Sequence, residues 1–404
     1  MKLSEFASLL LVSRIEGDGK VEINGIETDS RNVTPGDLFI CLPGSQQDGH
    51  DYAAQAYEKG AAAVVAERPV DVPVPKLYVK NSRHAMAVFS SHFFGYPSEQ
   101  MKLIGVTGTN GKTSTCYLLE KILTDQGRPT GLMGTIEMKY AGQSYSVKNT
   151  TQEALVLQRS FRQMKEAGTE YCVMEVSSHA LELGRVKGTK FRTAVFTNLT
   201  QDHLDFHQSM ENYRSAKSLL FSRLGNTYSA DPYDRQYAVL NADDAASEAF
   251  RAATAAEVVT YGIDQKADVM AKQIQVTSKG TQFLLETFAG SIEVSIQTVG
   301  KFNVYNTIAA VAAALVEGIS LDAIGRSLEQ IKGVPGRFEQ IDEGQDFLVI
   351  VDYAHTPDGL VNVLKTIREF AEGKVITVFG CGGDRDRSKR PIMGKVAAQY
   401  SDIA

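Results

Sequence analysis

Short apolar runs alternate along most of this chain with segments whose apolar residues recur every three or four positions. Apolar runs of the buried-strand type occur at residues 103–106, 171–176, 192–198 and 237–240, with helix-like segments between them. This alternation predicts an α/β fold in which helices cover a mostly parallel sheet. Shorter strand-like runs precede it at residues 25–27, 38–42, 62–66 and 76–79, and residues 52–59 are helix-like.

The same pattern divides the chain into three predicted domains, at residues 1–97, 98–333 and 334–404. A segment rich in Gly, Pro and Ser, residues 93–100, reads as the first linker. The third region has apolar strand-like runs at residues 347–351 and 375–379 and stops as another apolar run begins. With about 70 residues, against ~100–150 for a usual α/β domain, this third domain is expected to be truncated.

Composition narrows the class of protein. The net charge of −6 disfavours nucleic-acid binding, which usually needs a basic face. No 18-residue apolar run is present, so we expect neither a membrane span nor a membrane partner. The four cysteines are widely scattered without zinc-type spacing, which favours reduced thiols in a cytoplasmic protein.

A phosphate-binding loop is predicted at residues 106–114, which read VTGTNGKTS. A strand leads into a glycine turn and a helix follows, so that backbone N–H groups and the positive end of the helix dipole face an anion. Lys112 would then lie over the β- and γ-phosphates, and Thr113 could offer its hydroxyl to Mg²⁺. Val106 stands where the Walker A pattern has its first glycine, which leaves an ordinary glycine turn as the alternative.

Polar residues follow two of the predicted strands. Glu175 ends one strand and Ser177 follows it, at the edge where α/β sheets bind ligands; a solvated strand end is the alternative. After the next strand come Asp202, His203, Asp205 and His207, for which the spacing favours Mg²⁺ over zinc. By residue chemistry alone, Lys217 is expected to be a solvated helix lysine.

Ten segments in order resemble one known family. They read GTNGKTS, NTTQE, EVSSHAL, TNLTQDHLDFH, YRSAKSLLF, NADD, GKFNVYN, GVPGRFE, DYAHTPDGL and GCGGDRDRSKRP. Together they resemble the Mur ligases, and within that family the branch that adds the third residue of the peptidoglycan stem peptide. The resemblance implies a three-domain architecture with a central P-loop-type sheet and a Rossmann-like C-terminal domain. The family's loop begins at Gly108, so Val106 is no defect.

For ATP and Mg²⁺, the resemblance implies a complete set of site residues. The loop that binds ATP would be Gly108, Thr109, Asn110, Gly111, Lys112, Thr113 and Ser114, and further nucleotide contacts would come from Asn303, Asn306, Arg337, Asp352, Tyr353 and His355. Thr113 and Glu175 would hold one Mg²⁺. His203 and Lys217 would serve a second, with Lys217 as N6-carboxylysine, because CO₂ addition converts the cation into an anionic oxygen donor. Lys112, Glu175, His203 and Lys217 form the implied catalytic set.

For the other substrates, the resemblance implies Ser30, Ser45 and Gln46 in the uridine-nucleotide pocket. Contacts to UDP-MurNAc-L-Ala-D-Glu would come from Asn149, Thr150, Thr151, Ser177 and Arg185, and Arg385 would bind the carboxylate of the incoming amino acid. The implied reaction is ATP-dependent amide ligation of the third amino acid, for which similarity favours meso-diaminopimelate. L-Lysine, a folylpolyglutamate synthetase, and a non-catalytic fragment that binds ATP and UDP-sugar are the alternatives. We expect a cytoplasmic monomer that acts on small molecules.

Overall fold

A computed structural model describes residues 1–44, 47–231, 234–277, 280–382 and 387–404. Its helices are α1 (Leu3–Ser8), α2 (Ala53–Glu58), α3 (Ser82–Phe93), α4 (Lys112–Asp125), α5 (Ala154–Glu166), α6 (Ser178–Glu182), α7 (Leu204–His207), α8 (Met210–Phe221), α9 (Ala246–Ala253), α10 (Lys301–Val316), α11 (Leu321–Glu329), α12 (Pro357–Phe370) and α13 (Lys389–Tyr400). Its strands are β1 (Ser13–Glu16), β2 (Gly25–Glu27), β3 (Asp37–Ile40), β4 (Ala63–Ala66), β5 (Lys76–Val79), β6 (Lys102–Thr107), β7 (Thr130–Met133), β8 (Met138–Tyr140), β9 (Gln143–Tyr145), β10 (Tyr171–Glu175), β11 (Phe191–Phe196), β12 (Tyr237–Asn241), β13 (Glu257–Gly262), β14 (Val269–Thr277), β15 (Gly280–Thr287), β16 (Gly290–Ile296), β17 (Glu339–Ile341) and β18 (Val349–Val351).

One compact unit consists of Met1–Met101, Gln152–Ala167 and Glu182–Lys190. Its sheet has the order β1-β5-β4-β3-β2, with β2 to β5 parallel and β1 antiparallel. Side chains of β3 alternate between the two faces of this sheet. Leu38 and Ile40 pack in a core with residues of α1, α3 and α5, while Phe39 and Cys41 pack in a second core with α2. Both faces are therefore covered, as parallel strands require.

The other unit consists of Lys102–Thr151, Gly168–Leu181 and Phe191–Ala404. Among the described residues, its large sheet has the order β16-β15-β14-β13-β12-β11-β6-β10-β7-β8-β9. The seven strands from β14 to β7 are parallel, and antiparallel hairpins extend both ends. The predicted α/β fold with a mostly parallel central sheet is confirmed.

Two helices cover one face of this sheet next to β6. The apolar residues of α4 recur every three or four positions and form a stripe that is buried against the sheet, consisting of Cys116, Leu119, Ile122 and Leu123. Helix α10 is apolar on nearly every side and is buried between α4 and the strands, as expected for a helix without a solvent face. Its first turn, which carries Asn303 and Asn306, therefore has a fixed position beside the loop that follows β6.

The last part of this unit differs from the predicted strand pattern. The run at residues 347–351 forms only β18, which pairs with β17. The strand predicted at residues 375–379 is wrong, because only Ile376 forms a bridge there, a parallel one with Ile403. An extended segment becomes a strand only where a neighbour supplies a continuous ladder of hydrogen bonds, and Val378 is 97% exposed. Helices α12 and α13 pack on each other around Leu360, Leu364 and Met393.

A search of the residues that the structure describes finds no helix of the length and apolarity needed to cross a bilayer.

Candidate active site

The loop after β6 is held at the middle of the large sheet, where the carboxyl ends of β6, β10 and β11 meet. The N–H of Thr109 donates to the carbonyl of Asn198 at 2.8 Å, and the N–H of Asn110 donates to the Asn198 side chain at 2.9 Å. Gly111 has φ +85°, and a Cβ there would lie 2.2 Å from Oδ1 of Asn306. The glycine therefore allows both the left-handed turn and the close approach of α10.

Two lysines converge on one carbonyl of this loop. Lys112 donates from Nζ to the carbonyls of Gly108 and Thr109, at 3.0 and 2.7 Å. Lys217, from α8, donates from Nζ to the same Gly108 carbonyl at 2.7 Å. Burial lowers the pKa of both amines, and the neighbouring charge of Lys112 lowers that of Lys217 further.

The expectation that Lys217 is solvated is wrong, since its exposed fraction is only 1%. Helix α8 turns this side chain inward, and Nζ lies 4.5 Å from the centre of the Tyr213 ring. The sequence could not reveal this because the same residue types would suit a surface helix. Burial lowers the pKa of Lys217 by disfavouring the charged ammonium.

Glu175 is also buried, with 1% exposed, so the alternative of a solvated strand end is excluded. Its Oε1 accepts from the Thr113 hydroxyl at 3.0 Å and from the N–H of Thr135 at 2.8 Å. Its Oε2 accepts from the Thr135 hydroxyl at 3.1 Å. Arg337 donates to the Thr113 hydroxyl at 2.8 Å. Hydroxyl and carboxylate oxygens of this kind are the donors that Mg²⁺ prefers, and its other ligands are usually water and phosphate oxygens.

His203 lies beside Asp202 in the loop before α7. Its Nε2 is 3.2 Å from Oδ2 of Asp202, and its backbone is left-handed with φ +55°. Burial lowers the pKa of His203 to about 3, although the Asp202 charge opposes this shift. The imidazole is therefore neutral near pH 7, which is the form that can bind a metal ion. His207 points elsewhere and its Nε2 lies 2.9 Å from the Ser178 hydroxyl.

Residues predicted to contact the nucleotide surround the start of α10. Asn303 donates to the carbonyl of Val299 at 3.0 Å, and Asn306 lies against the loop at Gly111. The Arg337 guanidinium lies 4.7 Å from the centre of the Tyr353 ring. Asp352 accepts from the N–H of Phe338 at 2.7 Å, and burial raises its pKa.

A cavity of about 620 Å³ joins these groups. The predicted site residues that line it are Thr109, Asn110, Gly111, Lys112, Thr113, Ser114, Thr150, Glu175, Ser177, His203, Asn306, Arg337, Asp352, Tyr353 and His355. Gly108, Thr151, Lys217 and Asn303 lie behind this lining and are hydrogen-bonded to it or to one another. Within the described residues, no group of three or more His, Cys, Asp or Glu side chains could hold a metal ion.

Residues predicted to contact the UDP-substrate are distributed over both units. The hydroxyl oxygens of Thr150 and Thr135 lie 3.0 Å apart, and the Thr151 hydroxyl donates to the carbonyl of Glu175 at 2.9 Å. In the first unit, Ser30 donates to the Gln55 side chain at 2.5 Å, and Arg185 pairs with Glu153 at 2.9 Å. Asn149 belongs to the unit that contains the large sheet. Ser45, Gln46 and Arg385 lie outside the described residues.

Sequence reasoning assigned no role to Thr135 and Lys389, which also line this cavity. Thr135 follows a strand that pairs with β10, and a polar residue at that strand end was the available signal. Asp202, which belongs to the His and Asp cluster that the sequence suggested for Mg²⁺, lies beside His203 and lines the cavity. Lys389 begins α13, and only the tertiary structure brings it to the cavity.

Comparisons with known proteins agree with this arrangement. Three family models match the chain: the Mur ligase family catalytic domain at residues 22–94, the Mur ligase middle domain at 106–314, and the Mur ligase glutamate ligase domain at 336–404. The chain belongs to the Mur ligase family. The family prediction made from the ten segments is thus confirmed.

Individual relatives extend the comparison over the whole chain. A protein of Bacillus cereus named UDP-N-acetylmuramoyl-L-alanyl-D-glutamate--2,6-diaminopimelate ligase is 53% identical, over 100% of this chain and 82% of the relative. One of the same name from Geobacillus thermodenitrificans is 52% identical with the same coverage. A solved structure of a protein of that name is 31% identical with a TM-score of 0.78, over 99% of this chain and 81% of the other.

Proposed function

We propose that this Mur ligase joins 2,6-diaminopimelate to UDP-N-acetylmuramoyl-L-alanyl-D-glutamate, with ATP as the energy source. The observation that carries the proposal is the shared cavity, in which the phosphate loop, Glu175 and His203 meet side chains of the last 70 or so residues. The names of relatives about half identical to this chain supply the substrates. L-Lysine as the third residue remains the alternative within the same reaction.

The ATP phosphates would bind at the loop from Gly108 to Ser114. The N-terminus of α4 directs free N–H groups towards them, and Lys112 would leave its loop carbonyls to reach the β- and γ-phosphates. Asn303, Asn306, Arg337, Asp352, Tyr353 and His355 would hold the nucleoside, as the family resemblance implies. This arrangement would leave the γ-phosphate towards Glu175, Thr150 and Ser177.

Mg²⁺ would be held by Thr113 and Glu175, and a second ion by His203 and carboxylated Lys217. Bound Mg²⁺ would supply positive charge to the phosphate oxygens during transfer. For the protein, the consequence is that Arg337 must share or release the Thr113 hydroxyl, to which it donates in the structure. Thr135 would keep the Glu175 carboxylate oriented through its two hydrogen bonds.

The reaction would take two steps. A γ-carboxylate oxygen of the D-glutamyl end attacks the γ-phosphorus of ATP. The bond between that phosphorus and the β,γ-bridging oxygen breaks, so that ADP departs and the substrate becomes an acyl phosphate. The amine nitrogen of diaminopimelate then attacks the acyl carbon, phosphate departs with the electrons of the C–O bond, and the amine loses a proton. Lys112 would bring the two anionic substrates together, and loop N–H groups would stabilise the charge on the transferring phosphoryl group.

We assign the remaining residues from the resemblance alone. Ser30, with Ser45 and Gln46, would contact the uridine nucleotide; Asn149, Thr150, Thr151, Ser177 and Arg185 would contact the muramoyl-dipeptide; and Arg385 would bind the carboxylate of the amino acid. The domain limits at 97 and 333, a monomeric state and a cytoplasmic location belong to the same proposal.

Carboxylation of Lys217 has a physical reason in its burial. A neutral amine attacks CO₂ to form a carbamate, whereas an ammonium has no lone pair to do so, and burial favours the neutral form. With ¹³C-labelled bicarbonate, the protein should show a carbamate carbon resonance that Lys217→Met lacks. Lys395→Met, at an exposed lysine, should keep the signal. A resonance of equal intensity in Lys217→Met would exclude this assignment.

Phosphate release from ATP tests the reaction as a whole. The chain would be incubated with UDP-MurNAc-L-Ala-D-Glu and, in parallel, meso-diaminopimelate, L-lysine or no amine. We expect release that depends on diaminopimelate and falls at least a hundredfold in Lys112→Ala. Dependence on L-lysine would correct the third residue, and release that no amine stimulates would contradict the ligase proposal.

A further inference from the structure

Asp202 is a buried carboxylate on which basic groups from three parts of the chain converge. Its exposed fraction is 3%. Besides His203, its carboxylate lies 3.6 Å from Nε2 of His355 and 3.6 Å from Nζ of Lys389. His355 follows β18 and Lys389 begins α13, so both belong to the segment matched by the glutamate ligase domain model. Asp202 and His203, in contrast, follow β11 in the middle domain segment.

The Lys389 ammonium is buried beside the Asp202 carboxylate. Its side chain is 8% exposed, and an ammonium removed from water is costly unless an anion lies close to it. Among the described residues, Asp202 is the acidic group paired with it. The next residue, Arg390, donates to the carbonyl of Gly382 at 3.1 Å and connects the start of α13 to the chain before it. Gly382 and Lys389 both line the cavity.

We propose that Asp202 is a positioning residue that docks the start of helix α13, through Lys389, at the phosphate-loop cavity. The proposal rests on the proposed ligase function only for its consequence in catalysis. Docking would hold Lys389 and the residues around it where the second substrate must meet the acyl phosphate. It should therefore affect the amine-dependent step more than the binding of the ATP phosphates, which the loop between β6 and α4 would hold.

The first test measures docking without any assay of activity. Amide hydrogen exchange of the peptide at residues 389–400 is compared in the wild type, Asp202→Asn, Lys389→Met and the double variant. Asp202→Asn leaves the ammonium without its anion, so exchange in this peptide should rise at least tenfold. In the Lys389→Met background the same change should raise exchange less than threefold, because no buried cation remains to be compensated. The proposal would be overturned if Asp202→Asn raised exchange equally in the wild-type and Lys389→Met backgrounds. It would also be overturned if the Asp202→Asn protein exchanged at the wild-type rate.

The second test asks whether docking serves the reaction. Lys389→Met should lower the amine-dependent kcat/KM at least tenfold while the Kd of a fluorescent ATP analogue changes less than twofold. Lys389→Arg, which keeps the cation, should recover most of the rate, and Lys395→Met on the same helix should match the wild type. Wild-type kinetics in Lys389→Met would refute the catalytic role even if exchange showed docking. An inactive wild type would refute the ligase proposal and leave the exchange result valid.

Discussion

At the scale of single residues, burial determines the chemistry of the site. Burial lowers the pKa of both Lys217 and His203 because their charged forms are desolvated, and it leaves the His203 imidazole neutral near pH 7. Glu175 keeps its position through hydrogen bonds from two threonines. The residue types were recognisable in sequence, whereas their protonation states follow from the surroundings.

The lowered pKa of His203 predicts how the free energy of unfolding depends on pH. An unfolded histidine has a pKa of about 6.5, and burial lowers the pKa of folded His203 to about 3. Between these values the unfolded state binds more protons, so the free energy of unfolding should decrease as pH falls from about 6.5 towards 3. Urea unfolding at several pH values in chelator should give a flatter curve for His203→Gln than for the wild type. The exposed His84 provides the control, His84→Gln, which should keep the wild-type slope; parallel curves for all three proteins would contradict the prediction.

At the scale of elements, the site depends on the contact between the phosphate loop and α10. Helix α10 is long, alanine-rich and buried, so its first turn cannot move away without disturbing the core. Gly111 and Asn306 form this contact. The sequence predicted the loop and the helix after it from local pattern, but not that a second helix, nearly 200 residues later, closes against the same glycine.

Gly111→Ala tests this contact. Its Cβ would lie 2.2 Å from Asn306 Oδ1, so we expect nucleotide affinity to fall at least tenfold and Tm to decrease. Gly127→Ala is the matched control at the other end of α4. It has a similar positive φ, +70°, but no atom lies within 4 Å of the added carbon. It should lose roughly 1–2 kcal/mol of stability from backbone strain and retain binding. Equal binding losses in both variants would show that strain alone, rather than contact with α10, matters.

At the scale of the whole molecule, stability is expected to be uneven. The middle of the large sheet is buried on its faces, whereas the segment around residues 374–382 has one bridge at Ile376 and a fully exposed Val378. Segments with few buried contacts and few backbone hydrogen bonds open at low free-energy cost. The C-terminal segment should therefore open before the sheet does.

Limited chymotrypsin digestion, read by mass spectrometry, checks this expectation. The first cuts should follow Phe347, Leu348 or Phe379. Phe288 is similarly exposed, with 59% against 66% for Phe347, but it lies at the turn of the paired strands β15 and β16. Phe288 should be cut later, because the residues on either side of it are held by the hydrogen bonds between β15 and β16. Cleavage first at Phe288 or within residues 102–200 would contradict this order.

The sequence by itself determined the fold class, the phosphate loop and the family. These depend on local periodicity and on motifs in a fixed order, which can be recognised without knowing any tertiary contact. The apolar stripe of α4 and the parallel strands could be recognised because each element must bury one face whatever its neighbours are. The tertiary structure alone decided that Lys217 is buried, that residues 375–379 form no strand, and that Asp202 meets Lys389. Burial and ion pairing depend on elements far apart in sequence, and no local pattern carries that information.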